Sequence, residues 1–475
     1  MRAALIAALA CAACAADQSS STDGGTNLNS NDAGVTITIT PSAVTVPPGT
    51  QQSFICSVSG AANNACAFSV KESGAGTISS AGIYTAPSTG GAYHVVATAA
   101  ADSTLTATAT VTVPNPTVAA CNALAPVGTW ENITPPDVQA VLNTAKQGVF
   151  AFAVDPVNAG TVYLGTIQLG LWKTTDCGAK FTKISGRGAT ALNGGMNWTM
   201  VIDPQDTQVI YTNAGYGAGS NGLFRSANAG ADWDAIWPPS DPSLSAAFAN
   251  NFTNTVDMDP QDHRHLLLTF HEPCLNRTAK NCIAETKDAG VTWTLLDGDK
   301  RWTSDGEGVR ALFLDDGKTW LWDSQADGAW RSTNSGASWT QIITQGANHL
   351  QATQMYRAQD GTFLLGGMGD LWRSPVGTSN GTWVKDDKLM GPLPGGIVSD
   401  GTTIYASNCY YVGFCGAATK DFYFTAQESD SGNWKPMASP SIGVMNSGGV
   451  LGYDRSHHIL YSSNLQGGFW RVVTK

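Results

Sequence analysis

Seven times between Val149 and Arg455 an apolar run ends in a short aspartate turn, and this recurrence leaves few architectures open to the chain. The turns are Asp155-Pro156, Asp203-Pro204, Asp259-Pro260, Asp315-Asp316-Gly317, Asp360-Gly361, Asp400-Gly401 and Asp454-Arg455. Their spacing of about 40 to 56 residues is that of four-stranded propeller blades, so counting turns counts blades and predicts seven.

Within each period a first strand precedes the turn, as in residues 149–154 and 311–314, and a second follows it, as in residues 162–164 and 209–211. The third is the most uniform: residues 170–173, 222–225, 328–331, 370–373 and 468–471 each end in an aromatic followed by Lys or Arg. The last period stops after its third strand, while residues 129–134 read as a fourth strand without companions. The N-terminal segment is therefore expected to complete the seventh blade and remove the free sheet edges.

The 52 glycines and 13% charged residues agree with an all-β chain of strands and turns. A formal net charge of -11, with no local Lys/Arg cluster, repels phosphate backbones and argues against a nucleic-acid partner.

Residues 1–13 carry one arginine and then a small apolar run, too short to span a bilayer and of the kind that directs export. The run ends at Cys11 and Cys14, which resembles the processing site of bacterial lipoproteins. Lipidation at Cys14 leaves eight cysteines to pair, an even number that suits an oxidising compartment; an ordinary cleaved signal peptide is the alternative. The resemblance implies an outer-membrane lipoprotein at the cell surface, touching the membrane only through that anchor. Residues 14–34 are polar and aperiodic and read as a flexible linker. Residues 35–114 alternate in polarity, as in 35–39 and 105–113, and read as a small β-sandwich. Residues 76–87, followed by 93–97, resemble the bacterial immunoglobulin-like repeats of surface proteins, which implies a spacer.

Residues 115–475 make up the propeller. Between its third and fourth strands lies a motif that resembles the Asp-box, or BNR repeat, Ser/Thr-x-Asp/Asn-x-Gly-x-x-aromatic. It occupies residues 174–181, 226–233, 286–293 and 332–339, with degenerate versions ending at Trp383 and Trp434. The Asp or Asn can bond nearby N–H groups, the glycine supplies a positive φ, and the ring packs between sheets, so these acids read as structural.

Strand order puts the Asp turns and Asp-boxes on one face and the longer loops on the other, where binding is expected. Cys274 with Cys282 and Cys409 with Cys415 close small loops on that open face. Cys121 and Cys177 are expected to meet on the opposite face, and Cys56 and Cys66 in the sandwich. No Cys/His spacing matches a zinc site, and no cofactor or metal is expected.

On the open face residues 301–310 gather Trp302, Asp305, Glu307 and Arg310. With Glu272, the two acids of this segment are candidate catalytic residues, since glycoside hydrolysis needs two carboxylates about 5 to 10 Å apart. Around them the topology places Trp198, Asn197, Tyr216, His271, Arg277, His349, Gln354, Tyr410 and Tyr411, which with Trp302 and Arg310 are candidate ligand-binding residues, suited to stacking on sugars and bonding their hydroxyls.

The segments Val154-Asp155-Pro156, Val162-Tyr163-Leu164-Gly165-Thr166 and Leu171-Trp172-Lys173-Thr174-Thr175-Asp176 make residues 148–475 resemble the xyloglucanase-like group of Asp-box propellers, which includes sialidase-like relatives. Xyloglucanases of that group place one catalytic Asp on each of two facing propellers. This chain has one propeller, so those residues do not carry over, and the arginine triad of sialidases is absent. The expected function is that of a monomeric, surface-anchored propeller binding a polysaccharide or a cell-surface protein on the open face. The alternative is a carbohydrate-active enzyme, a glycoside hydrolase or polysaccharide lyase, using the carboxylates there.

Overall fold

The computed structural model describes residues 27–30, 34–142, 148–186, 190–215, 222–241, 244, 253–271, 273–275, 277–303, 310–314, 316–324, 327–344, 354–367, 370–374, 383–386, 395–408, 422–440 and 449–475. Strands dominate; a short helix at Pro136–Gln139 and a 3-10 turn at Thr190–Asn193 interrupt them.

The N-terminal part is a sandwich of three sheets over one core. Its alternation is the cause: Thr36–Thr40 buries Ile37 and Ile39, and Asp102–Val113 buries Leu105, Ala107, Ala109, Val111 and Val113. Asn27–Ser30, inside the stretch expected as a free linker, pairs antiparallel with Thr36–Thr40. A sheet edge accepts such a strand through backbone hydrogen bonds alone, which a polar composition does not reveal. Cys56 and Cys66 are bridged here.

Seven four-stranded antiparallel sheets follow. Sheet 1 runs Val149–Val154, Val162–Thr166, Leu171–Thr174 and Thr182–Lys183. The next five repeat that order from inner strands Met200–Ile202, Thr253–Met258, Arg310–Phe313, Met355–Arg357 and Ile397–Ser399. Sheet 7 takes three strands from Leu451–Asp454, Ile459–Ser463 and Phe469–Val473, and its fourth from Trp130–Asn132 at the other end of the chain. Buried Arg471 reinforces that seam, donating to Glu131 Oε2 at 2.9 Å and to the Cys177 carbonyl at 2.7 Å. An apolar cluster fills each junction between successive sheets, including that between sheet 7 and sheet 1, so the ring is closed.

The turns after the third strands have one geometry. The hydroxyls of Thr174, Ser226, Thr286 and Ser332 accept the N–H of Gly178, Gly230, Gly290 and Gly336 at 2.9 to 3.0 Å. Oδ1 of Asp176, Asn228, Asp288 and Asn334 accepts the backbone N–H four residues on at 2.8 to 2.9 Å. Each glycine and the residue before it are left-handed. A Cβ on Gly178, Gly230 or Gly290 would come within 2.8 Å of Ile133, Ile184 or Ile236, at the outer strand of the neighbouring sheet. Glycine here thus permits both the turn and the approach of sheets.

The sandwich, expected as a spacer, docks on the aspartate turns. Gln261 Nε2 donates to the Ser53 carbonyl, Arg357 Nη1 to Ser53 Oγ and Gln359 Nε2 to Thr85 Oγ1, each at 3.2 Å. A Cβ on Gly49 would lie 2.7 Å from Cδ of Arg455. These partners belong to sheets 3, 5 and 7, on separate parts of the ring, so the sandwich lies across its turn-bearing face. The polar groups of the turns supply the bonds that hold it there.

Candidate functional site

The inner strands enclose a cavity of about 180 Å³. Its walls mix apolar side chains, among them Phe152, Met200 and Val256, with the polar groups of Thr199, Thr255, Asp257, Arg310 and Gln354.

Asp257, on the inner strand of sheet 3, is the carboxylate of this cavity. Its Oδ2 accepts the Phe313 amide of the adjoining inner strand at 2.7 Å. Burial pushes its pKa up to about 6, against the pull of Arg310. Arg310 heads the inner strand of sheet 4 and lies opposite Asp323 on the second strand. Asp323 is 3% exposed, and burial pushes it up to about 7, again against Arg310. Its Oδ1 has no hydrogen-bond partner among the described residues. Burial lowers the pKa of Arg310, and the two carboxylates hold it up. One guanidinium thus serves two acids that titrate near neutrality, the range useful for acid–base catalysis. Among the described residues the cavity gathers one carboxylate and no His or Cys, short of the three protein ligands of a catalytic zinc.

Trp198 and Gln354, both expected on the ligand-binding face, line this cavity with Arg310. The edge of Trp198 meets Phe150 with centroids 4.9 Å apart, and its ring lies 6.4 Å from that of His271. Gln354 Oε1 accepts the Ile397 and Leu451 amides at 3.1 and 3.2 Å, tying sheets 5, 6 and 7 together. His271 is 5% exposed and sits behind Trp198.

Two expectations change. Asn197 is fully buried; it accepts the Thr166 amide at 3.2 Å and donates to the Asn213 carbonyl at 2.6 Å, so it joins sheets 1 and 2 and leaves no amide for a sugar. Trp302 is 1% exposed and stacks on Trp322 with centroids 3.6 Å apart, forming the core of the junction between sheets 3 and 4 where a stacking platform was expected. Arg277 is half-buried and donates to Asp297 at 3.0 Å. Asp305, Glu307, Glu272, Tyr216, His349, Tyr410 and Tyr411 lie outside the described residues, as do Cys14, Cys409 and Cys415. Cys121–Cys177 and Cys274–Cys282 are bridged.

Sequence reasoning missed Asp257 and Asp323. The available signal was a carboxylate inside an apolar strand, Val256-Asp257-Met258 and Trp322-Asp323, where burial is costly and a reason for it should be sought.

No family model matches the chain. Its sequence is similar to a xyloglucanase of Paenibacillus sp, 24% identical over 276 residues, covering 52% of this chain and 22% of that protein. It is similar also to a xyloglucanase of Hypocrea jecorina (strain QM6a), 26% identical over 249 residues, covering 50% and 23%. Among solved structures, the GH74 enzyme of Niastella koreensis has a TM-score of 0.49 at 17% identity, covering 72% of this chain and 53% of that one. The matched region is thus glycoside hydrolase-like in sequence over half of this chain, and spans under a quarter of the length of the curated relatives it matches.

Proposed function

We propose that this chain is a carbohydrate-active enzyme of the glycoside hydrolase type, acting on a polysaccharide that reaches the inner cavity from the face opposite the aspartate turns. In this reading the seven sheets are the blades of a seven-bladed β-propeller and the sandwich is an immunoglobulin-like domain. The observation that carries it is Asp257, a carboxylic acid raised to about 6 inside a cavity shared with Arg310 and Trp198. Such an acid holds its proton in mildly acidic solution, where it can pass it to a leaving glycosidic oxygen, and exchanges it readily toward neutral pH. The charge of Arg310, felt also by Asp323, tempers the rise. Glycoside hydrolysis calls for a second carboxylate, which we assign to Asp305, Glu307 or Glu272 on the open face. The sequence similarity to two xyloglucanases supports a β-glucan such as xyloglucan as substrate. Three disulfides support an exported chain, consistent with a surface location.

A binding-only role is the second reading, favoured by the single carboxylate of the cavity. One experiment separates the two: glycan-array binding followed by reducing-end release from xyloglucan and related polysaccharides, with wild type and Asp257→Asn. Turnover that falls by at least about 100-fold in the variant supports the enzyme. Binding without turnover, unchanged by the substitution, removes it.

A further inference from the structure

Three distant chain segments meet at the joint that closes the ring: Cys121 ahead of the closing strand, Cys177 in the first glycine turn and His457 in the last aspartate turn. Their ligating atoms lie within 4.8 Å of one another, and His457 Nδ1 is 3.7 Å from Cys177 Sγ. A zinc ion about 2.3 Å from sulfur and about 2.0 Å from nitrogen, with tetrahedral angles, separates those two atoms by about 3.5 Å. The pair already stands at metal-bridging distance.

The histidine is also oriented for it. His457 Nε2 lies 2.8 Å from the Ala119 carbonyl, an acceptor only, and therefore carries a proton. Nδ1 is turned toward the sulfur and toward Asp454 Oδ2, 2.8 Å away. A ring N–H held by a backbone carbonyl is the usual support of a metal-bound histidine. Asp454 is 2% exposed and fixes the ring, its Oδ2 itself steadied by the Gly160 amide at 2.7 Å. Sequence spacing hides this set because its members come from both ends of the chain.

In the oxidised protein the two sulfurs are joined. We propose that the reduced joint binds one zinc ion through Cys121 Sγ, Cys177 Sγ and His457 Nδ1, with solvent as the fourth ligand, so that disulfide and metal are alternative closures of the same ring. A dithiol reductant breaks the S–S bond: two electrons and two protons pass to the cysteine sulfurs while the dithiol becomes a disulfide. Zinc then displaces three protons to solvent: the two thiol protons and the one held between His457 Nδ1 and Asp454 Oδ2.

The test uses the full chain, reduced with dithiothreitol, freed of it under argon and titrated with Co²⁺. One equivalent should bind with the absorption of tetrahedral cobalt carrying thiolate ligands, be displaced by Zn²⁺, and be absent before reduction. Cys121→Ser combined with Cys177→Ser should abolish the absorption, whereas Cys274→Ser leaves it. His457→Gln, whose amide can still reach the Ala119 carbonyl, should weaken cobalt binding at least about tenfold. The proposal is overturned by reduced wild type that shows no such absorption, by absorption that survives loss of both cysteines, or by His457→Gln binding as tightly as wild type. An unfolded reduced chain with scattered thiols would give the last result.

Discussion

The aspartate-turn face of the ring and its inner cavity use carboxylates in opposite ways. On the turn face the acids are saturated with bonds. Asp259 accepts the Gln261 amide and meets His265 Nδ1, each at 2.8 Å, while His265 Nε2 meets Glu285 at 2.8 Å. Burial alone would lower the pKa of His265, yet its bonds to Asp259 and Glu285 raise it to about 9. At the cavity Asp257, and behind its wall Asp323, both feel the charge of Arg310 and are raised by burial to about 6 and 7. Saturated carboxylates keep their charge and hold shape, whereas undersupplied ones keep a proton and can exchange it.

That contrast can be broken at several points. The largest expected effect is on stability at the turn face: His265→Ala removes the cation between buried Asp259 and Glu285, leaving Glu285 only the exposed Lys287, and should cost about 4 kcal/mol in denaturant unfolding. Turnover per folded molecule should stay unchanged. The raised histidine stabilises fully below its unfolded pKa of about 6.5, and this contribution is lost as pH rises through about 9. Wild type should therefore weaken over that interval and His265→Ala should not. In the cavity, Asp257→Asn should lower polysaccharide turnover at least about 100-fold, equivalent to about 2.7 kcal/mol, with circular dichroism and melting nearly unchanged. A variant that loses fold and turnover together would erase the distinction.

Asp323 gives a smaller effect of the same pH sense in a lower window. Its folded pKa of about 7 exceeds the ordinary carboxylate value, so the fold favours the protonated acid. Stability should decline as pH rises from about 4 to about 7 and level off above, by on the order of 2 kcal/mol. Asp323→Asn should flatten that slope; an unchanged slope would show that another group sets it. Smallest is Asn334→Ala in a glycine turn, which removes the bond to the Ser338 amide and should cost about 1 kcal/mol without altering turnover.

The ring was largely legible because its signals are local. An aspartate turn, a Gly-aromatic-basic strand and an Asp/Asn-x-Gly turn each fix their own backbone, and the orphan strand at 129–134 showed where the ring would close. Residues whose roles depend on a neighbouring sheet were not legible. Trp302 stands in a polar segment and looks available to a ligand, but Trp322 of the next sheet covers it. Asp257 looks like one more acid beside a turn, and its raised pKa arises only once the inner strand of sheet 4 encloses it. The docking of the sandwich was hidden for the same reason, since Ser53 and Thr85 are ordinary strand residues until Gln261, Arg357 and Gln359 reach them.

The closing strand also orders events in time. Trp130–Asn132 is synthesised early, and its partner, Phe469–Val473, follows only after the other six sheets, so the seam is a contact of extreme sequence separation that must wait for sheet 7. Until then both edges of the gap are open to other strands. The Cys121–Cys177 link holds the waiting strand near sheet 1, beside the place where sheet 7 must arrive, and so shortens the search that ends folding. Loss of the last few residues would leave the rest of the ring intact and remove the one strand able to finish it.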